Sequence, residues 1–188
     1  MSEAAVSLAQ QATDDTRRWL ERAVIGLNLC PFAKAVHVNR RIHYAVSRAT
    51  MPGELLDHLG AELQALRQLP ATERETTLLI APLCLADFLA FNDFMGRAER
   101  LLVKRGLEGE VQLASFHPRY QFADAGADDI GNFSNRSPYP TLHLLREDSI
   151  DRAVEAFPDA ERIYAANLRT LERLGTAGWA ALDVGASR

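Results

Sequence analysis

Two histidines bracket an unusual stretch: from Phe116 to His143 the chain reads FHPRYQFADAGADDIGNFSNRSPYPTLH. Residues 117 to 140 are 24 positions of Gly, Asp, Asn, Pro and aromatics with neither helical nor alternating periodicity. A connection of that length without regular structure is uncommon inside a compact domain and is usually functional. His117 and His143 are imidazoles that titrate near neutrality, so a pair of them can serve as acid and base. Asp129 is available to orient one of them. In NRSPYP, Arg136 offers a planar fork for a carboxylate or phosphate. Asn135, Ser137 and Tyr139 add hydrogen-bonding groups beside it, and Pro138 and Pro140 stiffen the backbone that presents them. Each feature also has a plainer reading, in which the histidines hydrogen-bond the loop backbone and Arg136 pairs with Asp128 or Asp129.

Cys30 lies in LCPF. If Pro31 opens a helix, the N-terminus of that helix favours thiolate, and Cys30 becomes a nucleophile for a Cys–His pair. If Cys30 only ends the preceding helix it is a buried, inert thiol, the commoner state of an unpaired cysteine. Cys84, between two leucines, reads as core. Asn92 interrupts the apolar pattern of DFLAFNDF four residues after Phe88 and three before Met95. That spacing turns it inward, where a buried amide needs a partner, either the long loop or a ligand.

These residues must be positioned by elements that the hydrophobic pattern outlines. A helix begins near Thr13 or Asp14, with Trp19, Leu20, Ala23, Val24 and Leu27 on one side and Arg17, Arg18, Glu21 and Arg22 on the other. Strands are expected over 42–47, 76–81, 111–116 and 141–145. Pro52 opens a helix carrying Leu55, Leu56, Leu59, Leu63 and Leu66. A longer helix over 86–105 turns Phe88, Leu89, Met95, Ala98, Leu101 and Leu102 inward and stops at Gly106. Further helices start at Asp148 or Ser149 and at Pro158, the last closed by Gly175. The order α-β-α-β-α-β-β-α-α implies one α+β (or α/β) domain over 13–175, a mixed sheet of about four strands with helices against it. Residues 1–12 and 176–188 read as tails. If the last two strands pair antiparallel with His117 opposite Thr141 and Ser115 opposite His143, all four share one sheet face. Slipping the register by one residue separates the histidines.

Composition narrows the classes without choosing a reaction. The chain has 188 residues, 47% hydrophobic and 24% charged, with a formal net charge of -4. Such a chain folds without staples, and its mild acidity gives no general attraction to nucleic acid or anionic lipid. Two cysteines make no disulfide framework or zinc knuckle. No apolar stretch approaches the ~20 residues that span a bilayer, and the first residues lack the pattern of a signal peptide. The expected setting is a soluble protein in a reducing cytoplasm.

Three segments, RRWLERAVIGLNLCPFA, TLLIAP with DFLAFNDF, and LEGEVQLASFHPRYQFADAGADDIGNFSNRSPYPTLHLLRE, together resemble an uncharacterised bacterial family, the domain of unknown function 1415 family. The resemblance runs from about Thr16 to Val154 and implies relatedness with no established activity. It includes Cys30, Asn92, His117, Pro118, Gln121, Phe122, Asp129, Asn135, Arg136, Ser137, Tyr139, Pro140, His143 and Arg146. Arg119 departs from a pattern that often has Asp.

The first functional expectation is a small enzyme, a hydrolase or group transferase, acting on an anionic small molecule. His117, His143, Cys30 and Asp129 would do the chemistry, and Arg136, Asn135, Ser137, Tyr139 and Asn92 would bind. No Gly-rich nucleotide motif is present. The alternatives are a metal- or haem-binding protein using Cys30, His117 and His143, and a protein-interaction module that docks through its aromatic loop. The sequence itself names no cofactor, substrate or oligomeric state.

Overall fold

A computed structural model describes residues 3–156 and 160–187. The apolar and alternating runs form four strands, β1 (Ile42–Val46), β2 (Thr76–Ile80), β3 (Val111–Phe116) and β4 (Thr141–Arg146). They make one sheet in the order β1-β2-β4-β3. β1 is parallel to β2, while β4 runs antiparallel to both β2 and β3, so β1, β2 and β3 share a direction. Every residue of β2 is buried, as its unbroken apolar and β-branched run requires of a strand covered on both faces. The expected α+β domain with a four-stranded mixed sheet is the observed architecture.

Two crossover helices, α3 (Pro52–Gln68) and α4 (Phe88–Lys104), cover one face. Leu55, Leu59, Leu63 and Leu66 of α3 meet Phe91, Phe94, Ala98 and Leu102 of α4 over Ala45, Leu79, Leu113, Leu142 and Leu144. Fully burying one such side chain contributes roughly 1.5–3 kcal/mol, so this layer holds the sheet flat against the helices. Pro52 is the first residue of α3, and the Glu54 carboxylate accepts the N–H groups of Thr50 and Met51 at its start. At the other end the Arg146 guanidinium reaches from β4 to the carbonyls of Leu66, Leu69 and Arg74. It thereby satisfies groups that the helix terminus leaves open. Asp87 caps α4 by accepting the Ala90 N–H at 3.0 Å.

The phase of α4 differs from expectation. Its buried stripe is Phe91, Phe94, Ala98 and Leu102, which rotates Asn92 to the exposed side and leaves Leu89 72% exposed. The helix has apolar residues on more than one face, and the Phe91/Phe94 pair, the bulkier choice at the centre, takes the core. Asn92 is therefore not a buried amide.

The opposite face carries α1 (Glu3–Trp19), whose axis continues through a π-helical turn, Leu20–Ile25. Neither expected tail is a tail where it is described. Ten residues before Thr13 belong to α1, a stretch rich in the helix formers Ala, Leu and Gln; Ala12 is buried with Leu78 and Ile80, and the Thr13 hydroxyl donates back to the Ala9 carbonyl. At the C-terminus, α6 (Ala160–Ala181) kinks at Gly175, φ 65°, instead of ending there. Trp179, Leu182 and Val184 then pack beside Trp19 and Leu20. Arg18 and Arg22 bind this segment by donating to the carbonyls of Asp183, Gly185 and Leu182. The Pro158 helix start lies outside the described residues. Among the described residues no helix is long and apolar enough to cross a membrane. Two short helices complete the chain, α2 (Ala33–Val38) and α5 (Glu147–Ala156).

β3 and β4 pair as expected but one residue out of the anticipated register. Phe116 lies opposite Thr141, Ser115 opposite Leu142 and Ala114 opposite His143. Side chains alternate across the sheet, so the slip moves His117 to the α4 face and leaves His143 on the α1 face.

Candidate functional site

His117 is fully buried between two rings of α4, Phe88 at 5.4 Å and Phe91 at 5.1 Å between centroids. The Arg119 N–H donates to its Nδ1 at 3.0 Å, so the proton sits on Nε2, which donates to the Leu85 carbonyl at 3.1 Å. Leu85 holds φ 59°, a left-handed conformation costly for a leucine, and the His117 bond fixes the carbonyl of that turn. Burial pushes the His117 imidazole below its ordinary value. With both ring nitrogens engaged and no exposed surface, His117 pins the 81–87 turn to the end of β3.

The long loop is wired by its own polar residues. Asn132, fully buried, accepts the Phe122 N–H at 3.0 Å and donates to the Gly126 carbonyl at 2.8 Å. Arg136 stacks on the Phe133 ring at 4.1 Å and donates to the Ala127 carbonyl at 2.6 Å. Asn135 donates to the Ser115 carbonyl, and Ser137 to the Tyr139 carbonyl. Asp129 accepts the Gly131 N–H at 2.7 Å and so caps a 3-10 helix, Ile130–Asn135, within the loop. The Tyr139 hydroxyl donates to Asp15 at 2.7 Å; the same carboxylate takes Ser187 and Arg18 and joins the loop to both chain ends. Asn132→Ala is expected to lower the unfolding free energy by about 2 kcal/mol, since it strands buried partners. Limited proteolysis should then cut between residues 117 and 140 while the sheet stays intact.

On the α1 face, the hydroxyl of Thr76 has one proton and gives it to the Leu144 carbonyl at 2.6 Å. It therefore accepts from His143 Nε2 at 2.7 Å, which fixes the His143 tautomer. Burial pushes the His143 imidazole down to about 4. Phe116 lies 6.0 Å from its ring and 5.1 Å from Trp19. Cys30 is a half-buried free thiol packed near Trp19 and Phe116. It sits in a turn and caps no helix, because α2 starts at Ala33 with Phe32 as its cap. The structure thus brings Cys30 and His143 to one face and holds His117 on the other, while Arg136 and Asp129 close the loop on itself. The anticipated convergence of two imidazoles and a guanidinium is not present. Among the described residues no group of three or more His, Cys, Asp and Glu side chains is placed to hold a metal ion.

A cleft of about 440 Å³ opens elsewhere, lined by Arg17, His37, Val38, Arg40, Ile42 and Tyr44. Arg17 comes from α1, Tyr44 and Ile42 from β1, and His37 and Val38 from α2. The chain reverses between α1 and α2 through Asn28, at φ 55°. Arg40 follows α2 with φ 56°, its N–H bonded to the His37 carbonyl and that of Arg41 to the Val36 carbonyl. This is the left-handed position that ends a helix, where glycine is the usual occupant. The Arg17 guanidinium lies over the Tyr44 ring, 5.3 Å from its centroid, and pairs at 3.4 Å with Asp14. His37 Nε2 is 3.3 Å from Glu21. The Tyr44 hydroxyl is buried without a hydrogen-bond partner; among the described residues the same holds for Thr16 Oγ1. Burial pushes the Tyr44 phenol up, with Arg17 acting against it. In the sequence, Arg17 reads as one of several charges on a solvated helix face. The visible signal for the cleft is HVNRR, a histidine and two arginines crowded against the start of a strand.

A second polar cluster sits where α3 meets β1. Glu62 takes Arg74, which is buried, and also His58 Nε2 at 3.3 Å and His43 Nε2 at 3.7 Å. Arg74 further donates from Nε to Thr77 Oγ1 at 2.9 Å. The hydrogen bond from His58, and after it the Arg74 guanidinium, hold the Glu62 carboxyl down at about 2 against the opposing effect of burial. Arg74 already occupies the carboxylate, which makes this an internal ion cluster.

A family model described as "Protein of unknown function (DUF1415)" matches residues 11–181. The chain belongs to that family. The match takes in the cleft from Arg17 to Tyr44 and the whole long loop, so both lie within the DUF1415 unit. No curated protein matches the chain, and no solved structure does.

Proposed function

We propose that this DUF1415 protein binds an anionic small molecule in the cleft between α1, α2 and β1, and acts on it as a hydrolase or group transferase. The observation that carries this reading is the lining: two guanidinium groups, an imidazole and a phenol whose buried hydroxyl has only the Arg17 guanidinium acting on it as a donor. The carboxylates Asp14 and Glu21 stand outside the lining, on Arg17 and His37. The substrate class is the one expected from the sequence, but the site moves from the long loop to the cleft. Arg17 and Arg40 would hold the anion, the strongest use of a guanidinium fork. Glu21 beside His37 Nε2 would keep a proton on that nitrogen and leave Nδ1 to exchange one with the ligand, the arrangement of an oriented acid–base histidine. The free thiols of Cys30 and Cys84 agree with a reducing, cytoplasmic setting. The metal- or haem-binding reading loses its support because Cys30, His117 and His143 do not face one another.

Arg40 provides the test. A non-glycine residue in the left-handed region costs roughly 1–2 kcal/mol, and Arg40 stands there at φ 56°. Arg40→Gly should raise Tm while weakening binding of small anions by about 10- to 100-fold, the usual worth of a hydrogen bond to a charged group. Calorimetric titration with phosphate, citrate and acetate, repeated on Arg17→Gln and on the loop variant Arg136→Gln, measures this. Binding that weakens with the first two variants and not with the third supports the cleft. Binding unchanged in Arg40→Gly and Arg17→Gln overturns it.

A further inference from the structure

We infer that the anion this cleft accepts is the phosphate monoester of a small, partly apolar molecule. The inference rests on the anion-binding reading above and narrows it to a ligand class.

The argument is one of donor number and direction. A carboxylate is planar, has two oxygens and carries one charge; a single bidentate guanidinium satisfies it. The cleft presents more than that. Arg17 belongs to α1, Arg40 to the turn after α2, His37 to α2 and Tyr44 to β1, so polar groups from separate elements line one space. A tetrahedral phosphoryl group has terminal oxygens directed along different axes and carries ≈ −1.5 to −2 charges near neutrality. Such a group can engage more than one guanidinium together with the phenol, where a carboxylate is satisfied by a single fork.

Tyr44 sharpens the point. A buried hydroxyl without a partner is destabilising for the free protein, and here it belongs to a residue that lines the cleft beneath Arg17. An acceptor oxygen brought by the ligand would satisfy it. The rest of the lining is aliphatic: Ile42, and Val38 with 67% of its surface exposed. A volume of about 440 Å³ exceeds what an inorganic ion needs and falls in the range of small-molecule sites. An organic body on the ester oxygen would cover this aliphatic wall.

The test compares phenyl phosphate with benzoate, two probes that share a ring and differ in the anionic head, by calorimetric titration of the full chain. Phenyl phosphate is expected to bind at least tenfold more tightly than benzoate and more tightly than inorganic phosphate. Tyr44→Phe should weaken phenyl phosphate about tenfold without lowering Tm, whereas a hydroxyl with only a structural role would lower Tm and leave affinity alone. Equal or tighter binding of benzoate overturns the phosphate assignment and leaves the anion-binding reading standing. Failure of both probes to bind overturns both. Preference for phenyl phosphate that Tyr44→Phe and Arg40→Gly leave untouched puts the ligand elsewhere and also overturns the proposal. Vesicles of phosphatidic acid in phosphatidylcholine should not co-sediment the protein; recruitment abolished by Arg40→Gly would assign the phosphate to a lipid headgroup and overturn the soluble ligand.

Discussion

Glu62→Ala is expected to destabilise the protein by about 3–5 kcal/mol, the largest effect of any single substitution considered for this fold. The reason lies in what stays behind. Arg74 is 7% exposed, and its guanidinium is held by Glu62 and by the hydroxyl of Thr77. Removing the carboxylate leaves a buried cation with one neutral partner, and breaking a buried ion pair on one side costs in that range. The depressed acidity of Glu62, caused first by the His58 hydrogen bond and then by Arg74, gives a figure for the carboxylate with all its partners. A carboxyl held at about 2 against 4.5 when free corresponds to about 3 kcal/mol of preference for the charged, folded form. The sign follows: this contribution is fully present above pH 4.5 and is lost as pH falls toward 2, so the deficit of the variant should narrow in acid. Urea unfolding at neutral pH measures the loss. The double variant Glu62→Ala/Arg74→Met should recover most of it, because it removes the stranded charge. A double variant as unstable as the single one would show that the carboxylate acts through its histidines His43 and His58 and not through Arg74.

The cluster also shows which parts of the molecule could be read from sequence. The four strands were visible because their signals are local: β2 is an uninterrupted apolar and β-branched run, and β1 alternates. The α3 stripe at Leu55, Leu59, Leu63 and Leu66 was visible for the same reason. What local pattern cannot encode is phase and register. In α4 two apolar stripes compete, and the packing of Phe91 and Phe94 over the sheet turns Asn92 outward. Between β3 and β4 the register is fixed by the loop itself, through the His117 N–H to the Asn135 carbonyl, and it places Ala114, not Ser115, opposite His143. That single residue separated the two histidines on which the loop site depended. The order of the chain ends has no local signal because their partners are remote: Arg18 reaches Asp183, and Asp15 takes Tyr139 and Ser187. In the loop, Arg136, Asn135 and Asp129 have the side chains that bind ligands, but those are the same side chains that satisfy irregular backbone. The cleft draws Arg17 and Tyr44 together only after the reversal at Asn28, and a charged helix face does not announce that.

His143 leads to the second large expectation, a loss of stability in mild acid. Its imidazole is held at about 4 by burial, against 6.5 in the unfolded chain. A base whose folded pKa is depressed contributes stability that is present above pH 6.5 and lost as pH falls toward 4, because the unfolded chain takes up the proton first. A gap of that size corresponds to about 3 kcal/mol. The tautomer explains why the folded state resists. Nε2 already carries a proton for the Thr76 hydroxyl, so a second proton must go to Nδ1, on a ring packed near Phe116. Burial also depresses His117 and His43, whose losses have the same sign. His143→Phe isolates the one contribution. At about pH 7.5 the variant should be less stable by about 1 kcal/mol, the worth of the lost Thr76 bond. By about pH 4 the order should reverse, with the variant more stable by about 2 kcal/mol, since it has no proton to accept. Chemical unfolding across this interval reads the crossing directly. Parallel curves for the two proteins would mean that His143 titrates in the folded state as freely as in the unfolded chain. The Glu62 window lies lower, below pH 4.5, so the two losses separate along the pH axis. Between them, the His143 loss at the β2–β4 seam should come before the loss of the Glu62 carboxylate where α3 meets β1.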